Sequence, residues 1–219
     1  MYCSDKLNVY IDVQSEALCM DDIILIIIAY VLGSIPSALW VGKIFYNKDI
    51  RQYGSGNLGA TNTFRVLGKK AGFVVTLIDI FKGTAATLLP LLAVFDGSQL
   101  NPLIIGMFAV IGHMFPIFAK FKGGKAVATS GGVILGYHWP FFVVVLAAFF
   151  IVLKLSKMVS FSSMAVAVVG FIYSVIYFIV TKDFYLLTVV LALVFFIFYR
   201  HRDNISRIKA GTEPKITWL

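Results

Sequence analysis

Long apolar segments recur along the chain and leave little room for a water-soluble fold. They predict helices at residues 22–46, 71–95, 101–119, 124–137, 139–155, 158–181 and 184–203. Hydrophobic residues make up 59% of the sequence and charged residues 14%, whereas a soluble domain carries about 25% charged residues. About 20 apolar residues are enough to cross a bilayer as a helix. The sequence therefore predicts an all-α integral membrane protein with about seven transmembrane helices.

Two of the predicted helices, 124–137 and 139–155, are shorter than the ~20 residues that a lipid-crossing helix needs. Pro140 cannot continue the helix before it, so the two form either one broken span or two short helices within the bundle. We expect Pro36 to bend the first helix and Pro116 to bend the third.

The placement of lysine and arginine favours seven crossings. With seven, 16 of the 19 basic residues lie on one side of the membrane, which by the positive-inside rule is the cytoplasm. A single span over 124–155 would instead place Lys154 and Lys157 outside. We therefore expect the N-terminus outside and the C-terminus in the cytoplasm. We also expect a dispensable extension at residues 1–20 and a single membrane domain at residues 21–219.

The net charge of +8 does not indicate nucleic acid, because the basic residues lie between apolar segments rather than in Arg-rich runs. Binding to an anionic leaflet or to small phosphates is the better interpretation. The two cysteines, Cys3 and Cys19, have neither the density of a disulfide framework nor the spacing of metal ligands. We expect no metal site.

The polar loop, residues 49–65, contains the pattern G-x-G-x-x-G at Gly54, Gly56 and Gly59. A dinucleotide site would need a β-strand before these glycines, whereas a predicted membrane helix precedes them here. The loop favours a phosphate site instead, because successive backbone N–H groups can surround an anion and arginine offers a bidentate fork. Its polar side chains include Ser55, Asn57, Thr61, Asn62 and Arg65.

Ionisable side chains inside predicted helices form a second candidate. Asp79 and Lys82 share one helix face at i and i+3, and charges inside a membrane are costly unless they are paired or functional. Either a structural ion pair or a phosphate contact explains them. His113, near the end of its helix, is likewise open between a structural and a catalytic role.

The GGK segment, residues 123–125, precedes the fourth predicted helix and makes another candidate anion site. It is not a Walker loop, because Ala126 follows Lys125 where serine or threonine is required. On the predicted cytoplasmic side it lies together with the polar loop.

The C-terminal helix end carries a fourth candidate cluster. His201, Asn204 and Arg207 recur at intervals of three, so they lie along one side of a helix. Their basic neighbours fit an ordinary helix end whose side chains reach toward the interface. These neighbours are Arg200, Arg202 and Lys209.

Five motifs stand in order along residues 21–214: GSIP (33–36), DIRQYGSGNLGATNTFR (49–65), DIFKG (79–83), GHMFPIFAKFKGGKAVAT (112–129) and RHRDNISRIKAGTE (200–213). The set resembles the membrane-integral acyl-phosphate:glycerol-3-phosphate acyltransferases of bacteria, the PlsY family. The resemblance implies transfer of a fatty acyl group from acyl phosphate to the 1-hydroxyl of sn-glycerol 3-phosphate. The products would be lysophosphatidic acid and phosphate, in the first acylation step of phospholipid biosynthesis.

The same resemblance implies no cofactor and a multi-pass protein of the bacterial inner (cytoplasmic) membrane, with its active site facing the cytoplasm. We expect a monomer in the lipid bilayer. The expected catalytic residues are Ser55, Arg65, Lys125, His201 and Asn204. The expected phosphate-binding residues are Gly54, Gly56, Asn57, Thr61, Asn62, Lys82, His113, Gly123, Gly124 and Arg207. Asp79 and Glu213 are expected to be structural.

Because acyl phosphate carries a good leaving group, such an enzyme mainly has to position two anions and neutralise developing charge. We favour direct transfer, with the donor's own phosphate as base and with Ser55 and His201 positioning the reactants. The rival is an acyl-Ser55 intermediate activated by His201. A transporter of a phosphate compound or a non-catalytic scaffold fits less well, because the polar groups cluster at one face instead of forming a path.

Overall fold

The structure, a computed structural model, describes residues 20–216, and the regular secondary structure over them is helical. The α-helices are α1 (Met20–Gly33), α2 (Ser37–Tyr46), α3 (Ala60–Leu67), α4 (Lys69–Leu88), α5 (Pro102–Met114), α6 (Val127–Tyr137), α7 (Trp139–Ser156), α8 (Val159–Thr181), α9 (Phe184–Arg200) and α10 (Arg202–Lys209). The predicted dispensable extension lies, but for its last residue, outside the described residues.

The helices fall where the apolar segments predict them. Four segments are long and apolar enough to cross a bilayer: Lys69–Leu91, Pro102–Ala119, Trp139–Ser156 and Val159–Thr181. Two further candidates are bent pairs, α1 with α2 at 43° and α9 with α10 at 57°. The last apolar helix, α6, has 11 residues and is too short to cross alone. Over residues 20–216 these make seven apolar segments.

Local details differ from the expectation for identifiable reasons. The first predicted helix is interrupted before Pro36, because proline lacks the N–H that a continuous helix would use there. Of the two helices expected to be too short to cross, α7 reaches 18 residues and only α6 is too short. The helix α3 was expected to be loop, and it forms because one of its faces buries Thr63 and Leu67.

Glycines let α4 and α6 pack with their backbones in close approach. A Cβ on Gly83 of α4 would overlap the Thr129 carbonyl oxygen, and a Cβ on Gly132 of α6 would overlap that of Ile80. Small residues at helix interfaces are the usual means of close packing in membranes. The contact places the short helix α6 inside the bundle, and with it the GGK segment at the start of α6.

Candidate active site

Within the polar loop, Asp49 and Arg51 hold each other. Asp49 accepts hydrogen bonds from Nε and Nη2 of Arg51 at 2.9 and 2.5 Å, and these bonds lower the pKa of Asp49 to about 2. The guanidinium of Arg51 is thus committed to shaping the loop. Thr61 and Arg65 are exposed on α3 four positions apart, so both face outward from one side of the helix.

Asn62 organises the turn around Ser55. Its Oδ1 accepts the Ser55 N–H at 2.9 Å, while its Nδ2 donates to the backbone oxygens of Tyr53 at 3.1 Å and Ile50 at 3.4 Å. Gly54 has a φ of 62°, and a Cβ there would overlap Asn62 Oδ1. Both N–H bonds of the Asn62 amide are used inside the loop, so none is left for the phosphate contact that we expected. Asn62 instead presents Ser55, which is exposed.

The GGK segment is bonded to the end of α5. The N–H of Gly123 donates to the Met114 oxygen at 3.2 Å, and the N–H of Gly124 donates to the His113 oxygen at 3.1 Å. A Cβ on Gly124 would overlap the imidazole of His113. The N–H groups expected to surround a phosphate are therefore engaged, and what these glycines provide is close packing that fixes the start of α6.

Asp79 and Lys82 form a buried ion pair that joins three elements. Their charged atoms are 2.8 Å apart, and the side chains are 1% and 4% exposed. Asp79 Oδ1 also accepts from Ser37 Oγ at 2.7 Å and lies 3.5 Å from Nδ1 of His113. Lys82 donates to the Ile35 oxygen at 2.9 Å. These contacts favour the structural interpretation of the pair, because they tie α4 to the break between α1 and α2 and to α5.

A second network, the ionic cluster, consists of Lys125, Ser160, Asn204, Arg207 and Glu213. Lys125 donates to Oδ1 of Asn204, whose Nδ2 donates to Glu213 at 2.6 Å. Glu213 also accepts from Ser160 at 2.6 Å and from Arg207 at 2.8 Å. One carboxylate thus connects α8, α10 and the C-terminal tail, and it orients the asparagine that meets Lys125.

Charges within the ionic cluster shift its titration. Burial alone would raise the pKa of Glu213, but the hydrogen bonds from Ser160, Asn204 and Arg207 outweigh it, so the pKa lies below its usual value. Burial lowers the pKa of Lys125 to about 8, an effect that Glu213 opposes. Lys125 is therefore a cation at neutral pH and loses its charge in mildly alkaline solution.

His201, at the junction of α9 and α10, is buried, and its ring has one defined orientation. Nδ1 lies 2.7 Å from the carbonyl oxygen of Ile197. Because a carbonyl oxygen only accepts, Nδ1 carries the proton and Nε2 of the neutral ring keeps its lone pair. Nε2 can accept a hydrogen bond from a hydroxyl of a bound molecule.

A narrow crevice connects the polar loop with the GGK segment. It is lined by Ile35, Pro36, Ser37, Leu58, His113, Pro116, Gly123 and Gly124. Leu58 lies between the two expected catalytic residues of the loop, Ser55 and Arg65, and it follows Gly56 and Asn57.

An apolar groove, partly open to the outside, runs between α6, α7, α8 and α9. Its walls include Val127, Ile134, Val145, Gly170, Leu193 and Ile197. Val127 follows Lys125 by two positions, and the carbonyl of Ile197 is the one that His201 contacts. The groove therefore begins beside the ionic cluster and His201.

Three contributors to these networks were not expected from the sequence. Ser37 and Ser160 each bond a buried carboxylate, and Arg200 bonds the GGK segment. The serines of SFSS at the start of α8 were the available signal for Ser160, because hydroxyls are unusual in an otherwise apolar helix. Arg200 had no such signal, because in the sequence it looks like the other basic residues at this helix end, Arg202 and Lys209.

Comparison with known proteins gives one consistent result. A family model described as glycerol-3-phosphate acyltransferase matches residues 23–211. A glycerol-3-phosphate acyltransferase of Bacillus subtilis (strain 168) is 59% identical over 196 residues, which cover 90% of this chain and 98% of the relative. One of Listeria monocytogenes serovar 1/2a is 55% identical over 197 residues, with coverage of 90% and 98%.

Solved structures agree. The crystal structure of PlsY, an integral membrane glycerol 3-phosphate acyltransferase, in its glycerol 3-phosphate form matches with a TM-score of 0.80 and 33% identity. The match covers 89% of this chain and 95% of that chain. The lysophosphatidic acid form matches with a TM-score of 0.77 and 32% identity.

Proposed function

Because this chain belongs to the glycerol-3-phosphate acyltransferase family, it is a multi-pass membrane acyltransferase, and we propose that its acyl donor is acyl phosphate. The acyl group passes to the 1-hydroxyl of sn-glycerol 3-phosphate, which gives lysophosphatidic acid and inorganic phosphate. No cofactor takes part. The proposal rests on one observation above all, the junction of the ionic cluster with the apolar groove.

That junction suits a molecule with an anionic head and a long apolar tail. Lys125 and Arg207 offer positive charge to a phosphate, and the groove that starts at Val127 and Ile197 offers apolar surface to a fatty chain. The groove keeps the fatty chain away from water, and each methylene group exposed to water would cost about 0.8 kcal/mol. Acyl phosphate has both parts joined at the carbonyl that reacts.

The polar loop supports the second substrate. Ser55, Thr61 and Arg65 are exposed on or beside α3, and arginine pairs with phosphate through two parallel hydrogen bonds. We place the phosphate of glycerol 3-phosphate at this loop. The crevice lined by Leu58 and Gly124 connects this loop with the GGK segment.

In the proposed direct transfer, the 1-hydroxyl oxygen of the acceptor attacks the acyl carbonyl. The bond between that carbonyl carbon and the phosphate oxygen breaks, and the hydroxyl proton passes to the departing phosphate. Lys125 neutralises the charge that develops on the phosphate, a role for a fixed cation in a site with little water. Asn204 holds Lys125 in place, and Nε2 of His201 accepts a hydrogen bond from the neighbouring 2-hydroxyl of the acceptor, which positions the 1-hydroxyl for attack.

The acyl-Ser55 route remains the rival, because Ser55 is exposed on a rigid turn. Purified enzyme should be mixed with acyl phosphate labelled in the acyl group, without acceptor. Direct transfer predicts no label on the protein. Label released by mild base from the wild type, and missing from Ser55→Ala, would replace direct transfer by the acyl-enzyme route.

The donor is tested with purified protein in lipid nanodiscs. Labelled glycerol 3-phosphate is offered with acyl phosphate, acyl-CoA or acyl carrier protein of the same chain length, and lysophosphatidic acid is quantified. We expect product from acyl phosphate alone, and none from His201→Ala. Product from a thioester, with none from acyl phosphate, would contradict the proposed donor.

We further propose that the enzyme works as a monomer in the inner (cytoplasmic) membrane, with the polar loop and the ionic cluster facing the cytoplasm. Cys3 and Cys19, the only cysteines of the sequence, allow a direct test. A membrane-impermeant maleimide added to intact cells should label them. In a variant in which both are replaced by serine, Lys122→Cys should react only after the cells are opened. The reverse labelling pattern would show that the N-terminus faces the cytoplasm and the polar loop faces outward.

A further inference from the structure

Geometry separates Arg200, the last residue of α9, from its basic neighbours. Its Nη2 donates to the backbone oxygens of Gly123 at 3.2 Å and Gly124 at 2.9 Å. Its guanidinium also lies 5.9 Å from the ring centroid of Phe115, within range of a cation–π interaction. Arg202, two positions on, is exposed. The sequence alone had placed both arginines in one group.

We propose that Arg200 is a positioning residue for acyl transfer, which fixes the GGK segment so that the Lys125 ammonium meets the departing phosphate. This inference rests on the proposed function. The two edges of the segment are held by different elements. The N–H groups of Gly123 and Gly124 donate to the end of α5, and their carbonyl oxygens accept from Arg200 on α9.

The segment needs this support because its flanks are strained. Lys120 and Phe121 before it have φ values of 55° and 58°, and Ala126 after it has a φ of 59°. Residues other than glycine keep such conformations only where the surrounding structure enforces them. Without the Arg200 bonds, the carbonyl edge would lose its only side-chain donor described over residues 20–216, and the backbone at Lys125 could relax.

Arg200 and Asn204 act on the same loop from consecutive turns. Arg200 holds the backbone that precedes Lys125, and Asn204 holds the end of the Lys125 side chain. A displacement of about 1 Å at a reacting group can cost on the order of 100-fold in rate. We therefore expect loss of Arg200 to lower kcat much more than it raises the KM for glycerol 3-phosphate.

Charge gives a second readout, which reports whether Arg200 acts on Lys125 in the folded, active enzyme. The charged neighbours of Lys125 are Glu213 and Asp203, which raise its pKa, and Arg207 and Arg200, which lower it; His201 also lies near. Removing the positive charge of Arg200 should raise the pKa of Lys125. The alkaline limb of the pH–rate profile should then move to higher pH.

Three variants distinguish geometry from charge: Arg200→Gln, Arg200→Lys and, as a matched control, Arg202→Gln. Each is purified in nanodiscs and assayed for lysophosphatidic acid formation from acyl phosphate across pH, with thermal unfolding measured on the same sample. Arg200→Gln should lose tenfold or more in kcat and show the shifted alkaline limb. Arg200→Lys should have a lower kcat than the wild type but the same alkaline limb of the pH–rate profile. Arg202→Gln should match the wild type in both kcat and pH–rate profile.

The inference is overturned if Arg200→Gln keeps kcat within twofold of the wild type. It is also overturned if the folded fraction of Arg200→Gln has wild-type kcat and pH profile, since Arg200 would then only stabilise the fold. If Arg200→Gln does not fold, the test uses Arg200→Lys. The inference then requires a lower kcat than the wild type with the alkaline limb of the pH–rate profile unchanged. If wild-type enzyme makes no product from acyl phosphate, the proposed donor fails instead.

Discussion

Asp79→Asn should destabilise the protein strongly, because it leaves the Lys82 ammonium buried without its counter-ion. The two side chains are 1% and 4% exposed, and the charged atoms are 2.8 Å apart. Breaking a buried pair by removing one partner costs about 3–5 kcal/mol. Lys82 would keep its hydrogen bond to the Ile35 oxygen at 2.9 Å, so we expect the lower end, about 3 kcal/mol.

The double variant Asp79→Asn with Lys82→Met should be more stable than either single variant. Lys82→Met alone strands the carboxylate and should cost about 3 kcal/mol, whereas removing both charges at similar volume should cost about 1 kcal/mol. The interaction energy from the double-mutant cycle is then about 5 kcal/mol, far above the error of additivity for distant sites.

Thermal unfolding in detergent micelles measures these differences. About 3 kcal/mol corresponds to a fall of roughly 6–12 °C in Tm for a chain of this size. The matched control is Lys43→Met, which removes a lysine that is 53% exposed and 3.8 Å from Asp49, and it should change Tm little. The electrostatic reasoning would be refuted if the Tm of the double variant were no higher than that of the less stable single variant. It would also be refuted if Asp79→Asn changed Tm as little as the control does.

Three further predictions concern activity. Ser55→Ala and Arg65→Ala should each lower lysophosphatidic acid formation at least 100-fold, on the order expected for lost transition-state contacts, with Tm unchanged because both residues are exposed. A normal rate in either variant removes that residue from the site. The rate of the wild type should fall as pH rises through about 8, because Lys125 loses its proton there. The Lys125→Arg variant should show no such fall, because arginine keeps its charge at this pH. A flat profile for the wild type would contradict a catalytic role for the Lys125 charge. Gly170→Leu should shift the enzyme's preference toward shorter acyl phosphates, because the leucine side chain would fill part of the groove. A Cβ at Gly170 would already lie 3.4 Å from the Phe141 ring. An unchanged chain-length profile would exclude the groove as the site of the acyl chain.

The spans could be predicted from the sequence because hydrophobic length is a local property of the chain. A bend at Pro36 could be predicted from the chemistry of proline for the same reason, and the structure has a break between α1 and α2 there. The helix α3 could not be predicted in this way, because eight residues are too few to be helical by propensity alone. It forms because Thr63 and Leu67 are buried against other parts of the molecule.

The positions of the site residues were predicted from motifs, but their bonding was not. Asn62 looked like a phosphate ligand, and its N–H groups are used by the loop that contains it. Ser160 and Glu213 are 53 positions apart and bond at 2.6 Å, a pairing that no local pattern indicates. Arg200 and Arg202 have the same chemistry, and only the bend after α9 distinguishes them.

The short helix α6 has a consequence for where water and lipid meet. From the shared junction at His138, α7 with 18 residues rises about 27 Å and α6 with 11 residues rises about 17 Å. Measured along the helix axes, the Lys125 end of α6 thus stops about 10 Å short of the far end of α7. We therefore expect the bilayer surface to be indented at this point. A polar acceptor could then descend to the depth of a fatty carbonyl, and the proposed acyl phosphate donor would react without being lifted out of the membrane.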